Sequence, residues 1–456
     1  MTTESVDVVV IGLGPGGELV TTKLASAGLS VIGVDARLVG GECPYFACVP
    51  TKMMVRAADT LSEARRVRQL AGSAQVTPDW GPVAARIRNE ATDNWDDRVA
   101  VERLERSGAR FVRGRGRITA PGEVVVSTSD GELTIKASKG IVVNPGTDPA
   151  VPNIPGLAGT PFWTNRDAVK ATKVPASMVV LGGGPVGCEL TQVFSRFGAK
   201  VTIVQSADRL LPASEPEASE VVQQRFAEEN ITVRTGASVS AVDHDGSGFT
   251  LKLGTDALTA ECLLVAAGRQ TDLAGLGVGA FGLDESARGI DVDDRMRAAP
   301  GLWAIGDITG KGAFTHMSMY QAAIATADIL GVEHAPADYR AVPAVTFTDP
   351  EVGQVGLTEH AARERKLNVR TGMTSLAGTA RGFIHGPGNE GLIKVVEDAD
   401  RGILVGATSV GPTGGEVLGA LAVAVQGEVP TATLRNMIYA YPTFHRGIET
   451  ALADLG

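Results

Sequence analysis

The sequence lacks a long apolar run. Stretches such as "VDVVVIG" are too short to span a bilayer. It also lacks an excess of positive charge: 42 Lys and Arg against 52 Asp and Glu leave a formal net charge of -10. That disfavours a polyanionic partner and leaves nucleic-acid binding without support. The opening "MTTESVD" has neither the basic nor the apolar block of a signal peptide, so a cytoplasmic protein with no membrane partner is expected. Cysteine is scarce, with four residues. In a reducing compartment a structural disulfide is not expected, and paired cysteines point to catalysis or metal binding. Glycine is abundant at 56 residues without a collagen-like period, as many tight strand-to-helix turns would require. A chain of 456 residues exceeds one compact core and implies two to four domains.

The first forty residues form one pattern. "VDVVVIG" reads as a parallel strand buried on both faces. "GLGPGG" follows, with Gly12, Gly14 and Gly17 in G-x-G-x-x-G spacing. "ELVTTKLASAG" has helical periodicity, and "LSVIGVD" is a second strand ending at Asp35. One glycine makes the tight turn, one lets the backbone approach a pyrophosphate, and one lets helix and strand pack closely. The phosphates would sit at the helix N-terminus, where free N–H groups favour anions. Asp35 can accept from a ribose hydroxyl. The pattern recurs in "ASMVVLGGGPVGCELTQVFSRFGAKVTIVQ", with Gly182, Gly184 and Gly187. Gln205 stands in the register of Asp35. A lone glycine motif is weak evidence, but two copies in the same strand–turn–helix–strand context are not. Neutral Gln205 would not repel a 2′-phosphate, and Arg209 lies just beyond it, which points to NADPH at the second turn, with NADH as the alternative. A solvated surface arginine is the competing reading of Arg209.

"GGECPYFACVP" places Cys43 and Cys48 directly after the first unit. Structural zinc wants four ligands, and no second pair exists, so no metal is expected. A staple across so short a loop removes little chain entropy. What remains is a reversible dithiol. "CVPTKMMVRAADTLSEARR" reads as a helix starting at Cys48, where the helix N-terminus and Lys52 would favour a thiolate.

Two nucleotide units around a "GGxCxxxxCxPxK" element resemble the class I pyridine nucleotide–disulfide oxidoreductases, which include dihydrolipoamide dehydrogenase, glutathione reductase and mercuric reductase. "AAGRQTD", "AIGDITG" and "FTDPEVGQVGLTE" extend the resemblance over nearly the whole chain. It implies an α/β fold with two doubly wound Rossmann-like domains and a C-terminal α+β dimerisation domain. The implied boundaries are 1–148 and 271–335 for the FAD domain, 149–270 for the NAD(P)H domain and 336–456 for the interface domain of a homodimer.

The resemblance also implies site residues. FAD would lie on Gly12, Gly14, Gly17, Asp35, Gly41, Gly146 and Asp307. The nicotinamide cofactor would lie on Gly182, Gly184, Gly187, Gln205 and Gly268. Cys48 would be the sulfur nearest the flavin and Cys43 the thiol that meets substrate, with Lys52 and Glu189 as the pair near flavin and nicotinamide. Electrons would pass from NAD(P)H through FAD and the Cys43–Cys48 pair to a small disulfide or thiol-reactive molecule. The alternatives are direct transfer from flavin to a quinone or a second nicotinamide, and a redox-sensing flavoprotein without turnover.

The sequence departs from the family where relatives carry "HPTxxE". Here "YAYPTFHRGIETAL" puts Tyr441 at the histidine position and Arg446 at the glutamate position. A helix starting near Pro442 would set Tyr441, His445 and Glu449 on one face, so that His445 and Glu449 could act as a shifted acid–base pair or merely as a surface pair. Between the cysteines, "PYFA" brings Tyr45 and Phe46, read as packing rather than as a stacking surface. "NPGTDP" at 144–149 departs from the usual linker.

Overall fold

The computed structural model describes residues 2–455. The chain divides into two compact units. The first runs to Pro50 and adds Ala85–Ala150 and Arg269–Asp338. The second holds Thr51–Ala84, Val151–Gly268 and the chain from Tyr339 onward.

In the first unit, Val8, Val9 and Val10 are wholly buried because their strand, Thr2–Ile11, is central in the sheet. It pairs in parallel with Val31–Asp35 on one side and with Gly131–Val143 on the other. Arg110–Arg113 and Leu302–Ala304 continue the sheet outward, also in parallel. A run apolar on both faces is what such a strand needs. The helix Pro15–Ser26 packs against the helix Thr315–Leu330. Ile11, Asp35, Val143 and Ala304 therefore end their strands at one edge of the sheet, where open parallel sheets bind ligands.

The second unit repeats this design in a four-stranded parallel sheet, ordered Thr232–Arg234, Lys200–Val204, Ser177–Leu181, Cys262–Val265. It also holds a five-stranded antiparallel sheet, ordered Pro343–Thr346, Glu351–Gly356, Ile403–Gly411, Leu392–Asp398, Val369–Ser375. The helices Gly414–Gln426 and Gly447–Ala453 pack on this sheet around Val395, Leu404, Leu418, Leu421 and Ile448. The α/β architecture with a C-terminal α+β domain is present as expected.

One expectation fails. No helix starts near Pro442; the last helix begins at Gly447, with Arg446 as its N-cap. Phe444, 8% exposed, anchors the segment in the core before the helix starts. Tyr441, His445 and Glu449 therefore do not share a helical face.

Among the described residues no helix is long and apolar enough to cross a membrane, and no group of three or more His, Cys, Asp or Glu is placed to hold a metal ion.

Candidate active site

The two glycine turns are built alike. Gly12 has φ +90° and Gly182 φ +108°, the left-handed region that favours glycine. A Cβ on Gly17 would land on the carbonyl of Gly12, and one on Gly187 on the carbonyl of Gly182. These contacts bring each helix close to its strand. The middle glycines differ: Gly14 faces only Asn144 Nδ2, at 3.4 Å, and Gly184 has open space in front of it. Each of these two residues caps its helix, each helix has proline in its first positions, and in neither does a side chain bond the cap. Free N–H groups facing open space at a helix N-terminus suit a pyrophosphate, so these residues fit FAD and a nicotinamide dinucleotide.

The registered positions match in geometry as well. Asp35 Oδ2 accepts from Leu13 N at 2.7 Å, and Oδ1 from Arg37 N at 2.7 Å. Burial pushes the Asp35 carboxyl up from its ordinary value against those two bonds. Its remaining lone pairs can accept from a ribose. Gln205 Oε1 accepts from Gly183 N at 3.2 Å, the counterpart of the Asp35–Leu13 bond. Arg209, by contrast, is turned to its own loop: Nη2 donates to Pro212 O at 3.0 Å. Arg209 is half-buried and held by its own loop rather than left as a solvated surface arginine. Arg234, which sequence reasoning passed over, is exposed, and its carbonyl accepts from Gln205 N at 2.8 Å. Only the alignment of two strands brings it to Gln205.

The other expected flavin residues gather in the first unit. Gly41 has φ +68°, and a Cβ there would stand 2.8 Å from Gly14 Cα. Asp307 accepts from Thr147 Oγ1 at 2.7 Å, and Arg269 Nη2 donates to Thr147 O at 2.5 Å. Gly146 has φ +69° with nothing near it, and in the second unit Gly268 has φ +120°. The unusual "NPGTDP" gains an account. Asn144 packs its amide against Gly12 and Ser318, and Asp148 pairs with Arg37 at 2.7 Å, so the segment ties the first glycine turn to its neighbours.

Cys43 lies in a short helix, Glu42–Tyr45, and Cys48 opens the 23-residue helix Cys48–Leu70. Both cysteines are half-buried. Cys48 Sγ is 3.3 Å from Thr315 Oγ1, and Thr315 opens a helix of its own. Neither composition nor spacing could have linked positions 267 residues apart. Between the cysteines, Tyr45 is 7% exposed, and burial pushes its phenol up to about 12, so it is a packing residue and not a base. Cys188 and Cys262 are buried, and burial raises both thiols.

In the second unit, Lys52 Nζ meets Glu189 Oε2 at 2.6 Å. Glu189 is 4% exposed and its Oε1 accepts from Phe347 N at 2.8 Å, while Lys52 lies 4.8 Å from the Phe347 ring centroid. Reading Lys52 as an exposed helical lysine, or Glu189 as a capping carboxylate, is therefore wrong. At the C-terminus, Glu449 Oε2 pairs with Arg446 Nη2 at 2.8 Å, His445 packs 6.1 Å from the Tyr439 ring, and Tyr441 is 70% exposed. Among the described residues Glu449 is turned to Arg446, so the expected His445–Glu449 pair is replaced.

Comparison with known families agrees with this geometry. Residues 6–327 match the pyridine nucleotide-disulphide oxidoreductase family, and residues 342–452 match the dimerisation domain of the same family. The chain belongs to this family and is an FAD-dependent pyridine nucleotide–disulfide oxidoreductase. It is 33% identical to the dihydrolipoyl dehydrogenase of Chlorobaculum tepidum over 98% of this chain and 96% of that protein. It is 30% identical to the mercuric reductase of Shewanella putrefaciens over 97% of this chain and 80% of that protein. Among solved structures it is similar to LpdA of Mycobacterium tuberculosis, with TM-score 0.87, 25% identity and 100% of both chains covered. It is also similar to the HOCl-induced flavoprotein disulfide reductase RclA of Escherichia coli in its Cu(II) complex, with TM-score 0.83, 25% identity and 99% of both chains covered.

Proposed function

We propose that this protein is a cytoplasmic homodimeric reductase that takes electrons from NADPH, passes them through FAD to the Cys43–Cys48 pair, and delivers them to a small disulfide or related thiol-reactive acceptor. The observation that carries the reading is the setting of Cys48, whose sulfur opens a long helix and sits 3.3 Å from the hydroxyl that opens another. Both helix N-termini and the hydroxyl favour a thiolate there. FAD supplies the chemistry that joins a two-electron hydride donor to a dithiol. The chain's own part is positional. The two glycine turns hold the dinucleotides, Glu189 holds Lys52, and Cys43 stands in a short helix from which its thiol can meet an acceptor.

The preference for NADPH rests on Gln205, which carries no charge to repel a 2′-phosphate, and on exposed Arg234, whose backbone carbonyl accepts from Gln205 N. Tyr441 in place of a histidine leaves no imidazole at that position. This favours acceptors whose released thiolates need little help with a proton.

The test is anaerobic reduction by NADPH followed by thiol counting. Two new thiols per chain, and loss of acceptor turnover in Cys43→Ser, support the route. Full turnover in Cys43→Ser with the best acceptor would show that electrons leave from the flavin directly.

A further inference from the structure

A cleft of about 380 Å³ opens in the first unit beside the segment that carries Cys43. It is lined by Gly40, Pro44 and Tyr45 of the cysteine segment, by Pro15 and Glu18 of the first-turn helix, and by a wall formed from residues 91–103. That volume suits a small molecule. The wall is unusual. A π-helix, Ile87–Ala91, runs into three consecutive left-handed residues, Asp93 (φ 44°), Asn94 (φ 56°) and Trp95 (φ 59°). Such backbone is costly and persists only where its surroundings hold it. Here the hold is visible. Thr92 Oγ1 accepts from Trp95 N at 3.4 Å, and Trp95 Nε1 donates to Tyr45 O at 3.1 Å. The strained turn is thus tied to the backbone between the two cysteines.

The charge on this wall is lopsided. Three carboxylates, Glu18, Asp93 and Asp96, line the cleft against one guanidinium, Arg103. Arg103 Nε donates to Glu18 Oε1 at 2.9 Å, which accounts for both of those charges. Asp93 and Asp96 remain as exposed carboxylates. Arg98 Nε lies 4.0 Å from Asp96, while its Nη1 donates to Glu102 at 2.8 Å. The apolar floor is Val39, Pro44, Ala91, Val99 and Ala100.

We propose that this cleft is the acceptor site and that Asp93 and Asp96 select its occupant by charge: a compact disulfide, neutral or cationic at its ends, is accepted and an anionic one is rejected. The proposal rests on the dithiol route above. In the reaction, the Cys43 thiolate attacks one sulfur of R–S–S–R, forming a Cys43–S–S–R bond and releasing RS⁻. The Cys48 thiolate then attacks Cys43 Sγ, closing the Cys43–Cys48 bond and releasing the second RS⁻. The two electrons come from NAD(P)H, and the two thiolates take up two protons from NAD(P)H oxidation and solvent. Rejection of anions follows from like charges brought together in a partly desolvated cleft.

The experiment measures kcat/KM of the flavin-loaded enzyme for cystamine (cationic), 2-hydroxyethyl disulfide (neutral) and dithiodiglycolate (anionic) at low and high salt. The wild type is expected to favour cystamine over dithiodiglycolate by about 10-fold or more at low ionic strength, and less at high salt, where screening shortens the reach of Asp93 and Asp96. In the double variant Asp93→Asn and Asp96→Asn the ratio should fall to about 2-fold or less. Asparagine tolerates left-handed backbone, so the turn is preserved. A ratio taken on one preparation is independent of how much of it is active. A wild-type ratio near one, or an unchanged ratio in the double variant, would overturn the charge selection. If no disulfide is turned over while NADPH still reduces the flavin, the dithiol route itself fails, which is a different result.

Discussion

Glu189 and Lys52, 137 residues apart in the chain, meet at 2.6 Å, and Glu189 is almost wholly buried. Its other oxygen is held by the backbone of Phe347. Removing Lys52 leaves this carboxylate without its cation. Lys52→Met should therefore destabilise the protein by about 1–3 kcal/mol, less than for a fully buried pair because Lys52 is one-third exposed. Chemical denaturation checks this. The double variant Lys52→Met with Glu189→Gln should recover part of the loss, since no unpaired charge remains.

Gly14 and Gly184 permit a cleaner test of cofactor binding than most glycines. Gly14 has φ −65° and ψ −177°, and Gly184 φ −79° and ψ −176°, ordinary extended backbone for any residue. Neither position meets protein backbone within van der Waals reach. Gly14→Leu should fold and lose FAD, because the side chain fills the space over the helix N-terminus. Gly184→Leu should keep its yellow colour and lose NAD(P)H binding. A flavin-to-protein ratio near one in Gly14→Leu would refute the assignment of the first turn.

The cysteines should separate by role. Cys48→Ser should remove the long-wavelength thiolate-to-flavin absorbance of the reduced enzyme, whereas Cys43→Ser should retain it. Thr315→Val, by removing the hydroxyl 3.3 Å from Cys48 Sγ, should raise the pH at which that absorbance appears, and Thr315→Ser should restore it.

Lys394 carries a pH dependence. It is 4% exposed and is paired with Glu215 at 3.0 Å, Glu217 at 2.8 Å and Glu359 at 2.9 Å. The Lys394 bond holds the Glu359 carboxyl below its ordinary value, with Arg363 assisting. A carboxylate depressed in the folded state contributes stability above its unfolded pKa, which is lost as pH falls through the folded one. Stability should therefore decline on acidification below about pH 4.5, the usual range for a glutamate. Lys394→Met should cost about 3–5 kcal/mol at neutral pH, because Glu215 stays buried and unpaired, and should flatten the acid limb. Denaturation midpoints from pH 3 to 7 decide it.

His445 should prove dispensable as a base. With Glu449 on Arg446 and the ring against Tyr439, His445→Ala should leave the pH–rate profile of disulfide turnover unchanged. Loss of an inflection near neutrality in that variant would restore His445 to the catalytic machinery.

The local pattern settled much of this protein. Buried strand runs, two glycine turns in matched register, the cysteine pair and the helix that starts at Cys48 are all properties of short stretches, governed by backbone sterics and hydrophobic period. So the fold class and both glycine turns were legible in the sequence alone. What needed tertiary structure was every pairing between distant stretches, together with where one local preference gave way to burial. Arg209 is near Gln205 in sequence yet bonds its own loop, while Arg234 comes beside Gln205 only through strand pairing. Thr315 reaches Cys48 only because two helix starts converge. The helix expected at Pro442 yields to burial of Phe444, and Glu449 goes to Arg446 three residues away on the helix that forms instead. Side-chain contacts across the sheet edges depend on packing, which sums many weak contacts over the whole chain, and no window of adjacent residues contains that sum.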